Sequence, residues 1–231
     1  MTLLTQYYVP GLHIEDRSIR VPLDWTGHTP GEEFDGESIS LFYRVVTAPE
    51  RVHDDLPLLV FLQGGPGGPG PRLLNPTSDG WIAEAIKHFR VVLPDQRGTG
   101  RSNRIDTHTM ARLAPGGAEA QAAYLKRFLA DSIIRDFEHL RRTEFAGARW
   151  VTLGQSYGGF LTLTYLSLFP EGVIASFTTV ASRMCPPTPR RSTSTPSRAW
   201  PRRPASTMTA IRRTWSVWPR WPTGWPARMC G

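Results

Sequence analysis

The chain has 231 residues, 40% of them hydrophobic and 20% charged, so it can bury a globular core; its net charge of +7 comes from the last 52 residues. Two cysteines exclude a disulfide-stapled scaffold, and no His/Cys spacing is typical of structural zinc, so we expect no metal or other cofactor. No apolar run approaches the roughly 18 residues of a membrane span, and the first residues lack the pattern of a secretory signal. We therefore expect a cytoplasmic protein that does not bind a membrane.

Residues 1–179 alternate between strand-like and helix-like segments, which predicts an α/β fold with a mainly parallel sheet and flanking helices. Helical spacing occurs at 81–88 and 120–145, and residues 158–169 are apolar almost all round, which predicts a buried helix. Within the second of these helices, one face carries Ile133, Phe137 and Leu140. Strands are predicted at residues 39–46, 56–62, 89–93, 150–153 and 173–178.

Two of three glycine-bearing loops follow the second and third predicted strands, at the edge where open α/β sheets place their sites. Residues 63–70 read Gln-Gly-Gly-Pro-Gly-Gly-Pro-Gly. This loop either aims backbone N–H groups at a developing oxyanion or serves as a simple connector. Residues 95–102 read Asp-Gln-Arg-Gly-Thr-Gly-Arg-Ser and match no phosphate-binding pattern. We expect Asp95 and Arg97 to brace this loop, by pairing with each other.

The third loop, Gly154-Gln155-Ser156-Tyr157-Gly158, has the G-x-S-x-G pattern of a nucleophile elbow. It lies between a predicted strand and a predicted helix, the context in which this motif carries meaning. Small residues two positions before and after the serine fit a strained turn. We predict that Ser156 is a nucleophile and that the Tyr157 N–H, at the helix start, is an oxyanion donor.

The three motifs in this order resemble the prolyl aminopeptidase (proline iminopeptidase) family of α/β hydrolases. That family usually has His-Gly-Gly-Pro-Gly in the first loop, where this chain has Gln63. The resemblance covers about residues 1–179 and implies a serine aminopeptidase that removes N-terminal proline from peptides. It also implies that Ser156 is the nucleophile and that Tyr157, with Gly64 or Gly65, forms the oxyanion hole.

A catalytic serine in this fold needs an acid and a histidine later in the chain. All six histidines precede Ser156, and Glu171 is the only carboxylate after it. The resemblance places the acid, the base, a helical cap and the last strands beyond the matched part. We therefore expect a partial fold without proline-releasing activity. An esterase on the same fold, or a non-enzymatic truncated product, remains an alternative.

The tail, residues 180–231, differs abruptly in composition from the rest of the chain. It holds ten arginines, five of the eight tryptophans, nine of the 21 prolines and both cysteines, and no acidic residue. Such a segment is expected to be disordered, and without a folded motif we do not expect it to bind nucleic acid. If the reading frame is shifted by one base, the codon that spans each of the four Trp-Pro pairs encodes alanine. The codon that spans Met208 and Thr209 then encodes aspartate. We interpret the tail as out of frame.

Overall fold

The structure, a computed structural model, describes residues 2–78 and 80–179. Of the two sequence-defined parts, the first is therefore almost entirely described. The expectations for the tail fall outside the described residues.

The described part contains seven strands and five α-helices. Strands predicted from the sequence at 39–46, 56–62, 89–93, 150–153 and 173–178 are present with bounds shifted by one or two residues. The elements in chain order are β1 (Thr2–Val9), β2 (Leu12–Pro22), β3 (Ser38–Thr47), β4 (Leu58–Leu62), α1 (Ile82–Ala85), β5 (Arg90–Pro94), α2 (Thr107–Leu113), α3 (Gly117–Leu125), α4 (Ala130–Glu144), β6 (Trp150–Gln155), α5 (Tyr157–Leu168) and β7 (Val173–Thr179).

The strands form a single sheet in the order β1-β2-β3-β5-β4-β6-β7. From β5 to β7 all neighbours are parallel, while β1, β2 and β3 are joined to one another and to β5 by antiparallel pairing. The parallel half places the carboxyl ends of β4, β5 and β6 at one edge. The three glycine loops begin at this edge.

The buried side chains lie on the two faces of the sheet. Along β4, Leu58, Val60 and Leu62 pack with α4 and α5, and the alternate residues Leu59 and Phe61 pack with α1. All five residues of β4 are buried, as the continuous apolar run predicts. The α/β fold class expected from the sequence is confirmed.

Two features differ from the sequence-based expectation. The hairpin of β1 and β2 was not predicted, because β2 carries polar residues, among them Glu15, Asp16 and Arg17, that interrupt the apolar alternation. In α5, which we expected to be buried, Phe160 and Leu163 are exposed in the described structure. An all-apolar helix gives no polar face to mark its outer side, so its sequence alone does not reveal how much of it is covered.

Candidate active site

Ser156 lies on the sharp turn between β6 and α5. Its backbone has φ 54° and ψ −115°, a conformation that L-residues with a side chain rarely adopt. The residue is exposed, and its side chain does not cap the helix. The turn therefore holds the hydroxyl at the surface of the sheet edge instead of using it to stabilise the helix.

The glycines around Ser156 are required by close backbone packing. A Cβ at Gly158 would overlap the carbonyl oxygen of Leu62, at the end of β4, and a Cβ at Gly154 would overlap the carbonyl oxygen of Gly158. A side chain at either position would push α5 away from the sheet. The small residues of the G-x-S-x-G pattern thus follow from the packing of β4, β6 and α5.

The loop of residues 63–70 reaches the serine through Gly64. A Cβ at Gly64 would lie 2.7 Å from the Gln155 carbonyl oxygen and 3.0 Å from Ser156 Cβ, so only glycine allows this approach. The structure thus brings together the first and third glycine loops. Gly64 and Ser156 are 92 residues apart in the sequence. Gly65, with φ 119°, follows directly.

Tyr157 is the first residue of α5, where the backbone N–H groups have no partner within the helix. Among the described residues its N–H has no hydrogen-bond acceptor. Burial, together with the charge of Asp131, raises the pKa of the Tyr157 phenol, so its hydroxyl stays protonated and does not act as a base. The backbone N–H of Tyr157 is thus left without a partner among the described residues at the edge where Ser156 lies.

Asp95 is fully buried directly after β5 and contacts both the first glycine loop and its own loop, the second. Its carboxylate accepts hydrogen bonds from the backbone N–H of Gly70 and of Arg101, each at 2.8 Å, and pairs with Arg72 at 2.9 Å. Burial raises the pKa of this carboxyl, and the N–H groups of Arg101 and Gly70 oppose that shift. Asp95 therefore links the first glycine loop to the second.

Arg97 does not pair with Asp95, in contrast to our expectation. Its guanidinium is buried and forms a bidentate pair with Asp136 of α4, with Nε 2.7 Å from Oδ2. It also donates to the carbonyl oxygens of Pro22, Leu23 and Arg127. The sequence favoured Asp95 as the partner because it is only two residues away. Asp136 lies 39 residues along the chain and leaves no local signal.

Sequence reasoning placed Gln63 and Gln96 in loops at this edge but gave their side chains no role. The Gln96 side chain donates to the Gln63 carbonyl oxygen at 2.8 Å, which joins the second loop to the first. Gln63 directly follows β4 and Gln96 is the second residue after β5, and that placement near strand ends is the signal available in the sequence.

No side chain of the described residues hydrogen-bonds to the Ser156 hydroxyl. The buried His139, on α4, instead accepts a hydrogen bond from the Gly31 N–H at its Nδ1. Within the same residues no group of three or more His, Cys, Asp or Glu side chains is arranged to hold a metal ion. A helix of membrane-spanning length and hydropathy is likewise not found among them.

Comparisons with known proteins point to one family. A family model described as the alpha/beta hydrolase fold matches residues 57–224. The chain is 46% identical over 167 residues to a proline iminopeptidase of Aeromonas sobria and 35% identical over 159 residues to one of Aspergillus aculeatus, covering 72% and 66% of this chain. It spans only 37% and 34% of the lengths of these relatives.

Solved structures with a similar fold include an alpha/beta hydrolase of Novosphingobium aromaticivorans, at 20% identity and a TM-score of 0.44. That match covers 71% of this chain and 43% of the solved one. With the family match over most of the sequence and the serine on a strand-to-helix turn, the chain belongs to the α/β-hydrolase family.

Proposed function

We propose that this chain is the nucleophile-bearing part of a serine aminopeptidase that releases N-terminal proline from peptides. The observation that carries the proposal is the strained Ser156 turn with Gly64 packed against it. The substrate class comes from the two similar proteins, both named proline iminopeptidases. The fold alone would not select peptides over esters.

In this reaction Ser156 Oγ attacks the carbonyl carbon of the proline residue, and its proton passes to a base. The carbonyl oxygen becomes an oxyanion, stabilised by the N–H of Tyr157 and by one N–H from Gly64 or Gly65. The carbon–nitrogen bond then breaks, the leaving amine takes the proton, and water hydrolyses the acyl-enzyme. Asp95 braces the first loop through Gly70, and Arg97 anchors the second loop to α4 through Asp136.

The base is the group that this chain does not supply. The six histidines all precede Ser156 in the sequence, and the described ones form no hydrogen bond to it. A serine without a base attacks as a neutral hydroxyl, which costs several orders of magnitude in rate. We therefore propose that the 231-residue chain by itself does not turn over proline amides.

A fusion protein tests both statements. Residues 1–179 are joined to the part of the Aeromonas sobria relative that follows the aligned region, and hydrolysis of a proline amide is compared with that of a simple ester. We expect proline release by the fusion, none above background by the 231-residue chain, and a loss of roughly 10⁴-fold or more in Ser156→Ala.

Ser167→Ala is the matched control, because Ser167 is an exposed serine of α5, the helix that follows Ser156, and among the described residues its hydroxyl bonds only to the Leu163 carbonyl. Ester hydrolysis by the fusion without proline release would favour the esterase alternative. Turnover of the proline amide by the 231-residue chain would contradict the proposed lack of a base.

A further inference from the structure

Gln63 joins the two ends of the first glycine loop through its side-chain amide. Its Oε1 accepts a hydrogen bond from the Gly64 N–H at 2.8 Å. Its Nε2 donates to the Pro69 carbonyl oxygen at 3.1 Å. One acceptor and one donor on the same amide thus close the segment 64–69 into a ring.

The second glycine loop holds the same segment from outside. The Gln96 side chain donates to the Gln63 carbonyl oxygen at 2.8 Å, and the carboxylate of Asp95 accepts from the Gly70 N–H at 2.8 Å. Two consecutive residues therefore fix the residues at both ends of the loop. Because its ends are fixed, the direction of the N–H groups inside the loop depends on the internal bonds made by Gln63.

The Gly64 N–H is already used by Gln63, whereas the Gly65 N–H has no acceptor among the described residues. Gly64 is also pressed against the Ser156 turn, so it has no room to rotate freely. We propose that Gln63 is a positioning residue: its amide occupies the Gly64 N–H and thereby selects Gly65 as the oxyanion donor of this loop. The inference deepens the proposed function and rests on it for its catalytic part.

The chemistry of the side chain sets which residues can replace Gln63. A neutral histidine also offers one acceptor and one N–H donor, and histidine is the residue usual at this position in the prolyl aminopeptidase family. Glutamate keeps the acceptor for Gly64 but has no donor for Pro69, and its charge would oppose a developing oxyanion. Alanine removes both bonds.

The first measurement uses the 231-residue chain and needs no activity. Amide hydrogen exchange at Gly64 and Gly65 is followed by nuclear magnetic resonance in the wild type and in Gln63→Ala, with Gln6→Ala, an exposed glutamine of β1, as control. We expect Gly64 to exchange at least about tenfold more slowly than Gly65, and this difference to disappear only in Gln63→Ala. Equal exchange at the two glycines in the wild type would overturn the proposal.

The second measurement uses the fusion protein described above. We expect Gln63→Ala and Gln63→Glu to lower kcat by roughly 10- to 100-fold with little change in KM, since an oxyanion donor acts on the transition state. Gln63→His should recover most of kcat. A Gln63→His variant as impaired as Gln63→Ala would contradict the role of the donor and acceptor pair.

The two measurements separate the two proposals. If the fusion with Gln63 intact releases no proline, the proposed function fails. The amide exchange of Gly64 and Gly65 still tests whether Gln63 holds the Gly64 N–H. If the fusion is active but Gln63→Ala keeps its full kcat, the positioning role fails and the proposed function stands.

Discussion

Helices α4 and α5 pack side by side on the same face of the sheet and are built in opposite ways. Helix α4 is amphipathic, yet it buries two carboxylates, Asp136 and Glu138, both fully shielded from solvent. Helix α5 is apolar almost throughout, yet it leaves Phe160 and Leu163 exposed at 53% and 58%. Burial on these two helices therefore depends on the partners available at each position and not on side-chain polarity alone.

The buried carboxylates of α4 are tolerated because each has basic and neutral donors around it. Asp136 accepts from Arg97 and from the indole N–H of Trp25, the latter at 2.9 Å. Glu138 pairs with Arg141 at 2.7 Å and accepts from the hydroxyl of Tyr165. A buried charge costs several kcal/mol once its partner is removed, so the partners can be tested one at a time.

The largest effect is expected at Arg97, which is completely buried against Asp136. Arg97→Met removes the cation and leaves Asp136 without its basic partner, which should lower the free energy of unfolding by about 3 to 5 kcal/mol. Urea denaturation of the 231-residue chain measures this change. Arg104→Met is the control, because the Arg104 side chain is 70% exposed and its Nε lies 3.6 Å from the carboxylate of Asp106. We expect a change of less than about 0.5 kcal/mol there.

A double variant distinguishes the loss of charge from the loss of packing. Arg97→Met combined with Asp136→Leu removes both charges and should recover part of the stability lost in Arg97→Met. A double variant that is less stable than the single one would show that Asp136 still stabilises the fold without Arg97, through its hydrogen bond from the Trp25 indole N–H.

The second effect compares two leucines of α5 that are two residues apart. Leu161 is completely buried, so Leu161→Ala should destabilise the chain by about 2 to 5 kcal/mol. Leu163→Ala should change the free energy of unfolding by less than about 0.5 kcal/mol, because its side chain lies mostly in solvent. Urea denaturation of both variants gives the comparison. Similar losses in the two would mean that the outer face of α5 is covered in solution.

The sequence predicts the parts of the fold that depend on local pattern. The continuous apolar run of β4 and the glycine spacing around Ser156 both correspond to close packing at one place in the sheet. The partner of Arg97 was not predictable in this way, because Asp136 lies on another element and only the fold brings it near. The contacts of Gln63 depend on the path of its loop, which a glycine-rich sequence leaves open.

The third effect concerns Glu138. Burial alone would raise the pKa of this carboxyl, but hydrogen bonds from Arg141, Tyr165 and Arg142 outweigh it and lower the pKa. The folded state therefore holds its proton less tightly than the unfolded state, and this stabilisation is present above a pH of about 4.5 and lost as the pH falls below it.

Glu138→Gln should therefore destabilise the chain at neutral pH by roughly 1.5 to 3 kcal/mol, since charged hydrogen bonds are replaced by neutral ones. The variant should also lose stability less steeply than the wild type below pH 4.5. Unfolding midpoints in urea from pH 7 to pH 3 measure both effects. Glu119→Gln, at an exposed position of α3, should follow the wild type throughout. Parallel pH curves for wild type and Glu138→Gln would refute the assignment.

The smallest effect is expected at His139, another titratable group buried on α4. Its Nδ1 accepts a hydrogen bond from the Gly31 N–H at 3.0 Å, and its ring lies beside Trp25 and Phe34. An acceptor at Nδ1 requires neutral imidazole, and burial lowers the pKa of this group. The unfolded chain therefore takes up the proton at a higher pH than the folded chain, so stability should fall as the pH drops below about 6.5.

His139→Phe keeps an aromatic ring but can neither titrate nor accept the Gly31 hydrogen bond. We expect it to be less stable than the wild type by about 0.5 to 1.5 kcal/mol at pH 8. That deficit should shrink as the pH falls from 6.5 to 5, because only the wild type pays for protonation of the ring in this range. Urea denaturation at half-unit pH steps measures the difference, and His53→Phe, at an exposed loop position, should leave the pH profile unchanged. A constant deficit across the range would contradict the lowered pKa, and would mean that His139 contributes only through packing and the Gly31 hydrogen bond.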